Sequence, residues 1–334
     1  MSSVFSDTLR ILAHLTPRRG INLLRLYSSY YLSRYSGRAR HWGNPFTISV
    51  EPTTSCNLRC PECPSGLRKF TRDTGMINLE LYGKILDQLS PDLFYLILYF
   101  QGEPYLNPVF FRMVEEAKKK RIYTATSTNA HFLTDNLARK TVESGLDRII
   151  ISLDGLDQQT YEKYRVGGSL DKVIEGTKNL VRWKKELKSR TPFIILQFIV
   201  FSTNEHQVAE LKKVARELGV DKLELKTAQV YNYEKGNDLI PSQKEYARYK
   251  MQNGKFVIDN PLNNHCLRMW RGCVITWDGL VVPCCFDKDA EHRLGDLKTE
   301  SFREIWRGER YREFRDKLFS DRKAIDICRN CTEK

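Results

Sequence analysis

Three cysteines stand within eight positions in "SVEPTTSCNLRCPECPSG" (residues 49–66), at Cys56, Cys60 and Cys63. As thiolates, three side chains on so short a loop can grip one metal centre from one side. Structural zinc takes four protein ligands, and a [4Fe–4S] cluster normally takes four cysteines. A cluster held by three leaves one iron with an open position, and an open position is a binding site. The competing accounts are a zinc site completed by a distant histidine, or three thiols used for packing. The next cysteine is Cys266, followed by Cys273, Cys284, Cys285, Cys328 and Cys331. Nine is an odd number for a disulfide framework. Clustered cysteines in a chain of 334 residues read as metal ligands in a reducing compartment. The first stretch lacks the apolar run and small-residue cleavage site of a secretory signal. No apolar run approaches the ~20 residues of a membrane span. A cytoplasmic chain is expected.

The cysteine loop must be positioned by regular elements, and from residue 46 the chain repeats one pattern. Apolar, β-branched runs occur at 46–53, 93–100, 122–129, 148–155, 193–201 and 222–230. Amphipathic stretches at 79–89, 109–120, 169–189 and 204–219 lie between them. Such runs suit parallel strands covered by helices, and helix-length crossovers make βα units. The fold class is α/β: six such units form a sheet that curls into a partial (β/α)6 barrel. The expected domains are a helical arm (1–45), the barrel (46–235), and a linker with a small cysteine-rich α+β domain (236–334). In the last, "CVITWDGLVVPCC" (273–285) predicts a hairpin turning at Asp278-Gly279, and 301–319 predicts one helix. Asp-Gly favours a type I′ turn, which makes Asp278 a turn residue rather than a catalyst.

Cys56-x3-Cys60-x2-Cys63 after the first strand resembles the signature of radical S-adenosylmethionine (SAM) enzymes. "FQGEP" (100–104), "STN" (127–129) and "SLDG" (152–155) follow at the ends of the next three strands and resemble that family's SAM-contact motifs. The resemblance implies a partial barrel and a [4Fe–4S] cluster on Cys56, Cys60 and Cys63. It implies that SAM chelates the open iron and is cleaved by one electron to a 5′-deoxyadenosyl radical, which abstracts hydrogen from a substrate. It implies Glu103 at the SAM amino group, Ser127 and Asn129 at the ribose, and Ser152 with Arg165 at the SAM carboxylate. A guanidinium suits that last task by its fork geometry. Gln101 and Ala130 stand where the family usually has glycine. Glu62 stands where many members place an aromatic ring near adenine.

Cys266-x17-Cys284-x43-Cys328-x2-Cys331 resembles the Twitch domain, a shortened SPASM domain, whose four such cysteines hold one auxiliary [4Fe–4S] cluster. Cys273 also precedes the hairpin and is an alternative ligand; Cys285 is left over. A four-cysteine zinc site is the competing account. A fully ligated cluster has no iron position for substrate, which makes it an electron relay or a structural element.

The arm carries seven arginines against one acid, Asp7, a net of +6 out of the chain's +13. Residues 6–15 and 21–35 predict two helices broken at "TPRRG". Leu24, Tyr27, Tyr31 and Tyr35 fall on one side of the second, with Arg25 and Arg34 elsewhere. Two readings stand: an amphipathic helix on the inner face of an anionic membrane, or a helix packed under the barrel. The substrate class is a small molecule, a carbohydrate or lipid intermediate, or, for a SPASM-type maturase, a ribosomal peptide. A flavodoxin- or ferredoxin-like donor supplies electrons. A non-catalytic Fe–S or zinc protein that binds nucleic acid is the alternative from another class. Outside the arm the charge is not interleaved with aromatic motifs, and no nucleic acid is expected.

Overall fold

The computed structural model describes residues 3–333. Six strands form in the expected runs: β1 (Thr47–Val50), β2 (Tyr95–Ile97), β3 (Tyr123–Thr128), β4 (Arg148–Ser152), β5 (Phe193–Val200) and β6 (Lys222–Thr227). They lie side by side in chain order, every pair parallel. Their two faces differ. Ile48, Leu96, Leu98, Ile149, Ile151 and Leu196 are fully buried under helices. The alternating set Tyr95, Ile97, Ser127, Ile150 and Gln197 is only half-buried and faces the barrel lumen. The period of two separates an apolar layer from a lumen that takes polar residues.

The covering helices are α4 (Leu79–Leu89), α5 (Phe110–Lys119), α6 (Asp135–Glu143), α7 (Gln158–Tyr164), α8 (Leu170–Glu186) and α9 (Leu211–Leu218), after a short α3 (Pro64–Leu67). Side-chain caps fix where several of them start. Asn78, Thr134, Asp157 and Ser169 each accept a backbone N–H at a helix N-terminus.

The C-terminal region departs from expectation in four ways. A hairpin of β7 (Tyr249–Gln252) and β8 (Lys255–Ile258) forms in a stretch where no strand was expected. After the short α10 (Arg268–Arg271), the cysteine-rich hairpin, β9 (Val274–Ile275) and β10 (Leu280–Val282), joins the barrel sheet. β9 pairs parallel with β1, and β11 (Gly295–Asp296) completes nine strands. The turn is not type I′. Only Gly279 has positive φ, +94°; Gly279 N–H bonds Thr276 C=O at 3.0 Å and Thr276 N–H bonds Leu280 C=O at 2.9 Å. That is a three-residue turn ending in a glycine bulge; Asp278 is a turn residue as expected, and its carboxylate accepts from Thr276 Oγ1 at 2.6 Å. The single helix expected at 301–319 is two, α11 (Phe302–Arg307) and α12 (Glu309–Asp321), because Gly308 is extended (ψ 169°).

The arm forms α1 (Ser3–Ala13) and α2 (Pro17–Ser36). α2 begins inside the stretch expected as a break, because Thr16 caps Arg19 N–H and Pro17 occupies the first helical position. One side of each helix packs under the barrel. Asp7 accepts from Tyr123 OH at 2.6 Å and pairs with Arg148. Arg19, 3% exposed, donates to the carbonyls of His14, Ser90, Lys120 and Arg121, satisfying the open ends of α4 and α5. Among the described residues no helix is long and apolar enough to cross a membrane.

Candidate active site

The loop after β1 carries Cys56, Cys60 and Cys63 across the C-terminal ends of the strands. Two glycines let it close. A Cβ on Gly66 would stand 2.5 Å from Cys60 N, and one on Gly102 would stand 2.4 Å from Thr53 C=O, where φ is already +70°. Only glycine fits there, so the glycine kept in "FQGEP" is a backbone requirement. N–H groups point at the sulfurs: Leu58 N lies 3.4 Å and Asn129 Nδ2 3.9 Å from Cys56 Sγ, and Arg165 Nη1 lies 3.8 Å from Cys60 Sγ. Burial pushes the Cys56 thiol up to about 12 and raises that of Cys60 against the pull of Arg165. A buried thiol of that kind stays protonated on its own and releases its proton to solvent only when a metal takes the proton's place on the sulfur.

All eight residues expected at the first site line one cavity of about 270 Å³: the three cysteines, Glu103, Ser127, Asn129, Ser152 and Arg165. Glu103 is 2% exposed. Its carboxylate accepts from Thr128 Oγ1 (2.8 Å), Asn129 N (2.8 Å) and Tyr105 N (3.2 Å). Desolvation nonetheless lifts it to about 7. Arg165 donates Nε to Asp154 at 2.6 Å, and Asp154 also accepts from Ile199 N at 2.7 Å. The guanidinium is thereby fixed with its remaining N–H groups toward the cavity. Glu62 also lines this cavity, and its carboxylate oxygens accept from Tyr231 N at 2.9 Å and Asn237 Nδ2 at 3.2 Å.

The six later cysteines sort themselves. Cys266, Cys284, Cys328 and Cys331 line one small closed cavity, with Arg322 Nη2 3.5 Å from Cys331 Sγ. Cys273 is buried beside Tyr311 and Arg315, and Cys285 takes Arg268 Nη1 at 3.0 Å. These two line a different cavity of about 350 Å³ in the barrel lumen. That cavity runs from Ile11 and Phe46 at the floor to Tyr99, Phe100 and Cys284 above; Tyr99 and Phe100 also line the first site's cavity.

Both cysteine sets fit iron–sulfur clusters: thiols without carboxylate or imidazole partners, screened from water and faced by N–H donors. Among the described residues no three Cys, His, Asp or Glu side chains converge on a single ion. A cubane does not ask for that, since each cysteine binds its own iron. Sequence reasoning missed Asp154, Tyr99, Phe100 and Lys288, which line or brace the site. Asp154 lies inside "SLDG", but only the fold brings it to Arg165; Lys288 reaches the cavity from the C-terminal region, with no local signal.

The fold and the loop together define a class: a partial parallel αβ barrel with a cysteine-rich site at its strand ends and a second cysteine set behind it. Residues 50–196 match the Radical SAM superfamily, and residues 266–332 match SPASM, an iron–sulfur cluster-binding domain. A Pyrococcus furiosus protein, tungsten-containing aldehyde ferredoxin oxidoreductase cofactor-modifying protein, is 30% identical over 305 residues, 80% of this chain and 82% of its own. Native anSMEcpe with bound AdoMet superposes with a TM-score of 0.63 at 18% identity, covering 86% of this chain and 88% of that one. Streptococcus suis SuiB bound to precursor peptide SuiA gives 0.61 at 13%, covering 90% and 73%. The chain belongs to the radical SAM superfamily and carries a SPASM-type region. Its cofactors are accordingly a [4Fe–4S] cluster, S-adenosylmethionine and an auxiliary iron–sulfur cluster.

Proposed function

We propose that Cys56, Cys60 and Cys63 hold the SAM-binding cluster and that a substrate in the lumen loses a hydrogen atom, the net change being oxidation, cross-linking or rearrangement. The observation that carries this is the single cavity shared by the three cysteines and the five expected SAM contacts, adjoining the lumen through Tyr99 and Phe100. When bound and given one electron by a flavodoxin- or ferredoxin-like donor, the cluster and SAM supply a 5′-deoxyadenosyl radical. The chain's own part is to bind and orient. Glu103 offers a buried carboxylate to the SAM ammonium. Arg165, braced by Asp154, and Ser152 take the carboxylate; Ser127 and Asn129 take the ribose. Cys266, Cys284, Cys328 and Cys331 hold the auxiliary cluster.

The substrate reading is a small molecule or a carbohydrate or lipid intermediate. Apolar walls with Arg271, which enters no ion pair among the described residues, suit a molecule with an apolar part and an anionic group. The name of the Pyrococcus relative, a modifier of a cofactor, points the same way. A peptide is the second reading. A groove of about 510 Å³ lined by Leu67, Tyr231, Tyr233 and Phe286 shares Lys288 with the first site's cavity and has room for an extended chain. The test is 5′-deoxyadenosine release by reduced, anaerobically reconstituted enzyme with SAM. Stimulation by a low-molecular-weight cell extract supports the first reading. Stimulation only by a co-purifying short peptide supports the second, and no release under any condition defeats both, leaving the non-catalytic alternative.

A further inference from the structure

The two arm helices are inside out. Of the six residues α2 buries, four are polar: Arg19, Asn22, Ser29 and Ser33. It exposes Ile21, Leu24, Tyr31 and Tyr35, the last two aromatic and Leu24 and Tyr35 as much as 70% and 93% accessible. α1 repeats the inversion, burying Asp7 while Val4, Leu9 and Leu12 are about half exposed. A helix that serves only to pack under a barrel does the reverse. The buried polar residues Asp7, Arg19, Asn22, Ser29 and Ser33 all have hydrogen-bond partners, so the inner face is settled. The outer face places aliphatic and aromatic side chains in water, which marks an interaction surface.

The charge says what covers it. Arg10 and Arg18 are held by Asp7 and Asp92. Arg25, Arg34, Arg38 and Arg40 are exposed and enter no ion pair among the described residues. A second copy would bring another arm of net +6 against this one, and like charges oppose that contact. An anionic lipid surface answers both features. Leucine and isoleucine enter the acyl boundary, tyrosine rings and the exposed Trp42 sit at headgroup level, and arginines meet lipid phosphates. We propose that α1 and α2 form a docking surface for an anionic bilayer, holding the barrel floor toward the membrane. This goes beyond the proposed chemistry and does not depend on it.

The test is co-sedimentation of full-length reconstituted enzyme with phosphatidylcholine vesicles, with and without phosphatidylglycerol. Binding is expected to anionic vesicles only and to weaken with added salt. L24S/Y35S and R25E/R34E should each lower the bound fraction by about tenfold or more, since both apolar insertion and charge are required. Iron content and deoxyadenosine release stay unchanged in both, which separates lost docking from misfolding. Wild-type enzyme that binds neither vesicle overturns the proposal, as does equal binding to neutral vesicles. A dimer in light scattering that L24S/Y35S dissociates also overturns it, because a second copy then covers the face.

Discussion

The two cysteine sites are built in opposite ways. The first takes three thiols from eight consecutive positions, on a loop whose path two glycines fix. The second takes four thiols from segments that start 18 or more residues apart, except for the closing pair Cys328 and Cys331. The first opens on a cavity with a buried carboxylate, an arginine and two hydroxyl-bearing strand ends. The second is closed by Met269, Phe314, Leu318 and Ile327. A short loop at strand ends can leave one coordination position facing a ligand cavity. Ligands gathered from a whole region surround their centre, and of the four only Cys284 also reaches the lumen cavity. On the proposed reading, the difference in connectivity goes with a difference in role, the first site binding SAM and the second relaying electrons or stapling the fold.

The largest effect that tests this contrast comes from the first loop. Replacing Cys56, Cys60 and Cys63 together by Ala should abolish 5′-deoxyadenosine release, while about four irons per chain remain at the second site. Iron analysis and Mössbauer spectra read the retained cluster, and chromatography reads the nucleoside. Unchanged release would mean that the loop is not where SAM is cleaved, and the contrast would collapse.

An intermediate effect concerns Glu103. Its carboxyl is lifted to about 7 by burial. The SAM ammonium needs it ionised, so SAM affinity should rise with pH up to about 7 and then level off. In Glu103→Gln affinity should be at least tenfold weaker at pH 8 and flat with pH; calorimetric titration measures both. Stability runs the other way. Between the ordinary value of 4.5 and about 7 the folded, SAM-free chain binds more protons at this site than the unfolded chain does. Stability contributed here is therefore full below 4.5 and falls as pH rises to about 7, by about 3 kcal/mol at most. Glu103→Gln should remove that fall, so the variant's melting temperature should be flat across this pH range while it binds SAM worse. A variant that lost stability and affinity together would give Glu103 a structural role instead.

What the sequence made legible follows from how local each feature is. β1 to β6 were readable because each strand carries its own β-branched run, and the first site because its residues sit at successive strand ends. The second half was readable in its cysteines but not in its architecture. β9 pairs with β1 across more than two hundred residues, and no local signal announces that partner. The Asp278 turn depends on one dihedral that Asp-Gly does not fix, since the dipeptide suits both a type I′ turn and a glycine bulge. Gly308 divides α11 from α12 although the flanking sequence is helix-forming throughout. The arm's helices were visible from their periodicity. Which face turns inward was not, because burying Arg19 requires the carbonyls at the ends of α4 and α5, set about 70 and 100 residues away.

The smallest effect is the sharpest test of the second site. Four of six cysteines share its cavity, and the other two are accounted for differently: Cys273 by Tyr311 and Arg315, Cys285 by Arg268 and the lumen. Cys285→Ala should leave iron content within error and change melting temperature little, because Cys285 is partly exposed at the wall of the lumen cavity. Cys273→Ala should also leave iron unchanged but lower stability by about 1 kcal/mol, since it empties a small buried volume. Cys266→Ala should instead lose iron from the second site alone. If Cys273→Ala removes iron and Cys266→Ala does not, the ligand set shifts by one member toward the hairpin. The second centre would then have two ligands, Cys273 and Cys284, on the lumen cavity, and it would have to be reread as a site able to touch substrate.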